Sequence, residues 1–234
     1  MIDLHSHILP QVDDGSRSTE ESLQMLTALA AQGVTDVAAT PHFYASENGP
    51  DRFLARRARS WQQLRPHLTA SLPRVHLGAE VLFFEGIAAF DGLPRLCLSG
   101  ADTLLLEMPF RPWSRRMLDE LLELADRPDV TVLLAHMERY LPYVAEPDWR
   151  RMARSGLYIQ SNADFFCGFS TRRKALRLLS EGRIHVLGTD CHNMERRAPR
   201  MDEAVRVIAR ALGDDTVRRL EEQARRLLKK GGAA

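Results

Sequence analysis

Seven short apolar or β-branched runs alternate along this chain with longer stretches of helical periodicity, and that alternation restricts its fold more than any other feature. The runs span residues 2–5, 36–40, 75–80, 103–107, 130–135, 157–161 and 185–189. Enough chain separates consecutive runs for a helical crossover, so the predicted class is α/β with a parallel sheet. The clearest helix begins at Ser18, whose hydroxyl can cap while Glu21 reaches back three residues later. Leu23, Leu26, Leu29 and Ala30 form one stripe, and Gly33 supplies the stop. Further helices are predicted over 52–68, 114–126, 148–155, 171–181, 201–212 and 216–230. The apolar strip Val217, Leu220, Ala224, Leu227 and Leu228 on the last of them reads as core packing. A length of 234 residues suits a single domain over 1–234. Length does not separate an open sheet from a closed barrel, but the polar residues do.

Those residues sit at the strand exits. The first strand gives His5 and His7, with Asp13 and Asp14 in the following loop; the second gives His42, the third Glu80, the fourth Glu107 and the fifth His136. The seventh gives Asp190 and His192, while the sixth ends in Gln160, Ser161 and Asn162, polar but not evident ligands. Five of the eight histidines therefore fall at exits beside four carboxylate positions, the adjacent Asp13 and Asp14 counted as one, leaving His67, His76 and His185 as ordinary core or surface residues. A closed barrel brings such residues to its C-terminal rim, where barrel enzymes place their active sites. Four carboxylates packed together would repel one another, and divalent cations remove that conflict. Imidazole and carboxylate without thiolate suits Mn, Fe or Zn rather than a cysteine-ligated structural zinc. Nine candidate ligands are too many for one ion, so two or three ions are expected.

Charge and cysteine content narrow the function classes. The chain has 32 basic and 31 acidic residues, a formal net charge of +1, which gives no global attraction to nucleic acid or anionic lipid. No apolar run approaches the roughly 18 residues of a membrane span. The opening Met1-Ile2-Asp3-Leu4-His5 lacks the basic and apolar regions of a signal peptide. Cys97, Cys167 and Cys191 are odd in number and widely spaced, so no disulfide framework is expected. The expected setting is the cytoplasm, with no membrane insertion.

The exit residues also carry a family resemblance. His5-Ser6-His7-Ile8-Leu9-Pro10 followed by Asp13-Asp14-Gly15-Ser16 resembles the opening of the PHP (polymerase and histidinol phosphatase) superfamily. More narrowly, it resembles the metal-dependent protein-tyrosine phosphatases of bacterial capsule and exopolysaccharide loci. Colinear matches follow at Thr40-Pro41-His42, Gly78-Ala79-Glu80-Val81, Glu107, Ala135-His136-Met137-Glu138-Arg139-Tyr140 and Asp190-Cys191-His192-Asn193. Met137 stands where that family usually has Pro, and residues 43–49 depart from the usual continuation.

The resemblance implies a PHP-type distorted TIM-like barrel of seven parallel-type strands, with three divalent ions, commonly Mn²⁺, at the C-terminal rim. It implies His5, His7, Glu80 and Asp190 around one ion, with Glu80 bridging to a second completed by Glu107 and His136. Asp14, His42 and His192 would hold the third, and Arg139 and Arg197 would bind phosphate. It further implies a phosphotyrosine protein substrate, a bacterial tyrosine kinase in polysaccharide regulation.

The chemistry of the residues agrees. Three divalent ions against four carboxylates leave about two positive charges to receive a hydroxide and a phosphate dianion. Bridging water loses its proton near neutral pH, so hydroxide can attack phosphorus without a side-chain base. In-line displacement then needs charge neutralisation, which metals and a guanidinium fork supply. A phenolate leaving group, of parent pKa about 10, needs less protonation than an alkoxide. An aliphatic ester would need an acid, with His42 or His192 the nearest.

Rival readings are weaker. A thiolate phosphatase loop, Cys-x5-Arg, matches at Cys167…Arg173 and Cys191…Arg197, but with only three lysines among 32 basic residues, arginine is common enough for chance matches. A metal amidohydrolase often uses a strand-end lysine, and Lys174, Lys229 and Lys230 are not at strand ends. A DNA-processing role calls for a basic groove and further domains. A binding protein without turnover would have lost a ligand or an arginine, and none is missing. The nearest alternative is a small-molecule phosphatase of the histidinol-phosphate type, which shares the metal set.

Overall fold

In the computed structural model, which describes residues 1–229, every strand pairing is parallel. The strands are β1 (Ile2–Ser6), β2 (Asp36–Ala39), β3 (His42–Phe43), β4 (Arg74–Leu77), β5 (Glu80–Leu82), β6 (Thr103–Glu107), β7 (Thr131–Leu134), β8 (Tyr158–Asn162) and β9 (Val186–Gly188). They run in the orders β1-β2-β4 and β3-β5-β6-β7-β8-β9. Each of the seven apolar runs contains strand. The second stops at Ala39 and strand resumes as β3, and the third divides into β4 and β5.

Backbone chemistry explains both interruptions. Pro41 has no N–H to give to a ladder, yet its carbonyl accepts from Glu80 N at 3.0 Å. At Gly78 a Cβ would stand 2.5 Å from Leu98 Cδ2, so any larger residue here would force the buried Leu98 side chain to shift. Hydrogen bonds continue across the breaks, Thr40 N donating to Ser6 O (2.8 Å) and Gly78 N to Ala39 O (2.9 Å). At the other edge Asp190 N donates to His5 O (2.8 Å) and His7 N to Cys191 O (2.9 Å). The result is one curled parallel sheet.

Alternation along the strands divides the apolar residues between two faces. Val37, Val81, Leu104, Leu106, Val132, Leu134, Ile159 and Leu187 pack in a large core with the helices. Ile2, Leu4, Ala38, Leu105, Leu133, Ala135 and Val186 form a second, smaller cluster. Two residues further along the same face, Leu105 gives way to Glu107 and Tyr158 to Gln160 and Asn162, so this face turns from apolar to polar toward the strand ends. The register of β1 slips between Asp3 and Ser6, and within that irregular stretch His5 joins the polar set.

The helices are α1 (Thr19–Ala31), α2 (Pro50–Leu64), α3 (Arg115–Ala125), α4 (Glu146–Met152), α5 (Asp164–Cys167), α6 (Arg172–Ser180), α7 (Met201–Leu212) and α8 (Asp214–Leu227). Ser18 caps α1 by accepting from Glu21 N, but the Glu21 carboxylate reaches back to Arg17 N and the Arg17 guanidinium rather than to Ser18. The helix predicted over 52–68 ends as α at Leu64 and tightens into a 3₁₀ turn, because Pro66 has no N–H to donate. The helix predicted over 148–155 starts earlier, with Pro147 in its first turn. At the last helix, Leu220, Ala224 and Leu227 are buried as the strip implied, and Thr103 Oγ1 donates to Leu227 O (2.7 Å). Its expected end, Lys230, lies outside the described residues.

Candidate metal centre

Glu80, at the start of β5, is the hub of the polar rim and is 1% exposed. Its Oε2 lies 3.2 Å from Nε2 of both His5 and His7 and 3.0 Å from His42 Nδ1. Its Oε1 lies 2.9 Å from His136 Nε2, which is 3.3 Å from Glu107 Oε1. Asp190 Oδ1 stands 3.5 Å from Nε2 of His5 and of His7 and 3.6 Å from His192 Nδ1. Asp14 Oδ1 joins His42 Nε2 (3.5 Å) and His192 Nε2 (3.4 Å). All nine candidate ligands therefore meet in one cluster. His67, His76 and His185 do not join it: His67 is exposed, His76 pairs with Asp36 at 2.9 Å, and His185 Nδ1 accepts from Ile159 N.

The second nitrogens of the rings decide what the first can do. His7 Nδ1 donates to Asp13 Oδ2 (2.7 Å), His5 Nδ1 to Gln160 Oε1 (3.3 Å) and His192 Nδ1 to Asp190 O (2.9 Å). With the proton held on Nδ1, each Nε2 presents a lone pair to the cluster, the tautomer a metal requires. Several central atoms, despite short separations, make no hydrogen bond: Glu80 Oε2, His42 Nδ1 and His192 Nε2 are buried and unpartnered. Buried polar atoms without partners are costly; atoms that converge on shared space without proton donors fit a cation between them. Three sets have ligand atoms within 4.8 Å of one another: His7, Asp14, His42 and His192; His5, His7 and Asp190; and His42, Glu80 and Glu107. The donor set, all imidazole and carboxylate, suits a divalent first-row ion.

Electrostatics follow from the same packing. Burial alone would raise the Glu80 and Asp190 carboxyls, but the imidazoles around them, His5 foremost, hold both well below the usual carboxylate range. Burial disfavours a charged His136, yet Glu107 and Glu80 win and lift it to about 9. Protons on such imidazoles balance the carboxylates, and an ion entering the site displaces them.

Both candidate arginines reach the cluster while staying partly open to solvent. Arg139 Nη2 donates to Asp190 Oδ2 (2.6 Å) and Arg197 Nη2 to Asp190 Oδ1 (2.7 Å), with side chains 37% and 35% exposed. Two of the three non-glycine residues with positive φ among the described residues are candidate ligands at strand ends, His136 (28°) and Asp190 (53°). Such backbone is held only where surrounding structure over-determines it.

The family model for capsular polysaccharide synthesis, CpsB/CapC, matches residues 1–229. The chain belongs to the CpsB/CapC family. Tyrosine-protein phosphatase YwqE of Bacillus subtilis is 29% identical over 247 residues, covering 98% of this chain and 92% of that protein. Tyrosine-protein phosphatase CpsB of Streptococcus pneumoniae is 28% identical over 232 residues, 91% of each chain. A crystal structure from work on YwqE and CpsB, described as unique metal-dependent tyrosine phosphatases, matches at a TM-score of 0.84 and 25% identity, over 97% of this chain and 94% of that one.

In this CpsB/CapC chain, several residues of the site are not ligand candidates by sequence. Asp13 neighbours the candidate Asp14 but turns inward, holding His7 and accepting from His42 N (2.9 Å). The tight turn that separates the two needs Gly15, where a Cβ would lie 2.4 Å from His7 O. Gln160 Oε1 accepts from His136 N (2.7 Å), and Asn162 Nδ2 donates to Asp190 Oδ2 (2.9 Å). Glu138, four residues past the end of β7, accepts from Asn162 N and Ser161 Oγ. For Gln160 and Asn162 the sequence signal was the polar end of the sixth run. Met137, the departure from Pro, is buried in the main core, and Tyr44 in the divergent segment 43–49 stacks on His42 at 5.2 Å. The thiol alternative lacks a reactive sulfur: burial pushes Cys167 up to about 12 and Cys191 further.

Gly188 is a steric gate of the site, since a Cβ there would stand 2.6 Å from His5 Cβ and 2.8 Å from Gln160 Nε2. Gly188→Ala should cost about 1–3 kcal/mol by overpacking, read by urea unfolding. A variant as stable as the parent would show that His5 and Gln160 move apart freely.

Proposed function

We propose that this chain is a metal-dependent phosphatase that removes phosphate from phosphotyrosine in proteins. The observation that carries the reading is the Glu80 carboxylate ringed by four imidazoles within 3.2 Å, in a chain similar to proteins named tyrosine-protein phosphatases. The fold is a distorted seven-stranded barrel of the PHP type, with β2 continuing into β3 and β4 into β5 as single interrupted strands. Residues 1–234 act as one domain. The residues at the rim would hold three ions, Mn²⁺ or else Fe or Zn: one at His5, His7, Glu80 and Asp190; a second at Glu80, Glu107 and His136; a third at Asp14, His42 and His192.

When bound, such ions neutralise phosphate charge and supply hydroxide near neutral pH as the nucleophile. The residues do the rest. Asp13, Gln160 and the Asp190 carbonyl keep the Nδ1 protons of His7, His5 and His192 in place. Arg139 and Arg197, already aimed at one carboxylate, present a guanidinium fork to the phosphate. A phenolate leaves without strong protonation, and His42 and His192 are the nearest imidazoles to assist. By family resemblance the substrate is a bacterial tyrosine kinase of a polysaccharide system in the cytoplasm.

The test compares a phosphotyrosine peptide with histidinol phosphate, each with Mn²⁺, after EDTA and after thiol alkylation. Peptide turnover should fall at least about a hundredfold with EDTA, return with Mn²⁺ and survive alkylation. Loss on alkylation alone would replace the metal mechanism with a thiol one, and faster turnover of histidinol phosphate would reassign the substrate.

A further inference from the structure

A large apolar side chain is left open at the edge of the ligand cluster. Phe110, three residues beyond Glu107, is 45% exposed. Its position is held nonetheless. The ring lies near-parallel to Tyr140, with centroids 5.9 Å apart and planes at 22°, and Tyr140 is itself fixed because its hydroxyl accepts from Met108 N at 2.9 Å. The same loop is tied by Arg111 N donating to Pro109 O (2.9 Å) and by Trp113 Nε1 donating to Pro109 O (3.1 Å). The Phe110 centroid is 5.6 Å from the His136 ring and 5.5 Å from the Arg139 guanidinium carbon. A fixed aromatic surface thus stands beside both a candidate metal ligand and a candidate phosphate-binding arginine.

Phosphotyrosine places its ring one ester oxygen away from phosphorus. A phosphate held by Arg139 and the ions therefore brings the substrate ring within the reach of Phe110, whereas an aliphatic ester brings nothing aromatic there. We propose that Phe110 is a specificity-determining residue that receives the phenyl ring of the substrate; this rests on the phosphatase reading above. Aromatic pairs prefer offset or edge-to-face contact, which the open part of the Phe110 ring can offer.

The experiment measures kinetics of wild type, Phe110→Ala, Phe110→Leu and Phe110→Trp with Mn²⁺ on phosphotyrosine and on glycerol phosphate, with inhibition by inorganic phosphate. The leucine variant keeps apolar bulk without the aromatic ring. KM for phosphotyrosine should rise about three- to tenfold in the alanine and leucine variants with kcat little changed, and Trp should restore it. Glycerol phosphate KM and the phosphate inhibition constant should stay within about twofold. An equal rise for both esters and for phosphate would mean that Phe110 only holds Arg139, overturning the assignment. Unchanged phosphotyrosine kinetics would also overturn it. Wild-type protein that turned over neither ester would remove the phosphatase reading, and this assignment with it.

Discussion

Glu80→Gln should reduce turnover by about a thousandfold or more and lower the metal content of the purified protein. The two carboxylate oxygens of Glu80 face His5, His7, His42 and His136 at 2.9–3.2 Å. An amide has the same shape but no charge, and its NH₂ would point at nitrogens that need to stay bare. Losing the ions removes several kcal/mol of transition-state stabilisation, each 1.36 kcal/mol being a factor of ten. Metal analysis alongside kinetics, with circular dichroism to verify folding, reads the effect. A folded Glu80→Gln protein with full metal content and parental kcat would defeat the central role of this carboxylate.

Asp190→Asn should be comparably damaging, for a different reason. Oδ1 of Asp190 accepts from Arg197, while Oδ2 accepts from both Arg139 and Asn162. An amide offers one oxygen only, so in either orientation its NH₂ confronts a donor. The substitution also removes the negative charge shared by His5 and His7. We expect a loss of about a thousandfold in kcat/KM together with weaker inhibition by inorganic phosphate, because the arginine fork loses its anchor. A parental phosphate inhibition constant on the residual Mn²⁺-supported turnover of Asp190→Asn would show that the arginines are positioned without Asp190.

The legible parts of this molecule are those whose cause is local. Apolar runs such as 103–107 and 130–135 declare strands because each residue must face one packed layer or the other, and β6 and β7 occupy them. The chemistry at their exits is equally local, so Glu107 and His136 stood out without knowledge of their neighbours. What depends on the far side of the rim did not. Gln160 matters because it links His5 to the backbone of His136, residues remote from it in the chain. Asp13 and Asp14 differ in role only through the turn at Gly15, which no periodicity reports. The exposed ring of Phe110 has no pattern of its own; its meaning comes from Arg139 and His136.

The hydrogen bonds between His5 and Asp190 and between His7 and Cys191 tie the first strand to a segment made some 185 residues later. During synthesis, His5 and His7 leave the ribosome early and wait for their partner segment. Contacts so distant in sequence form slowly, since closing the intervening loop must precede any gain from them. The emerging chain therefore carries two bare imidazoles with no completed pocket, and the cluster is assembled only once the segment around Asp190 and His192 has been made. A cluster built this way becomes competent to hold a cation as a single late event of folding, not ligand by ligand as the strands emerge.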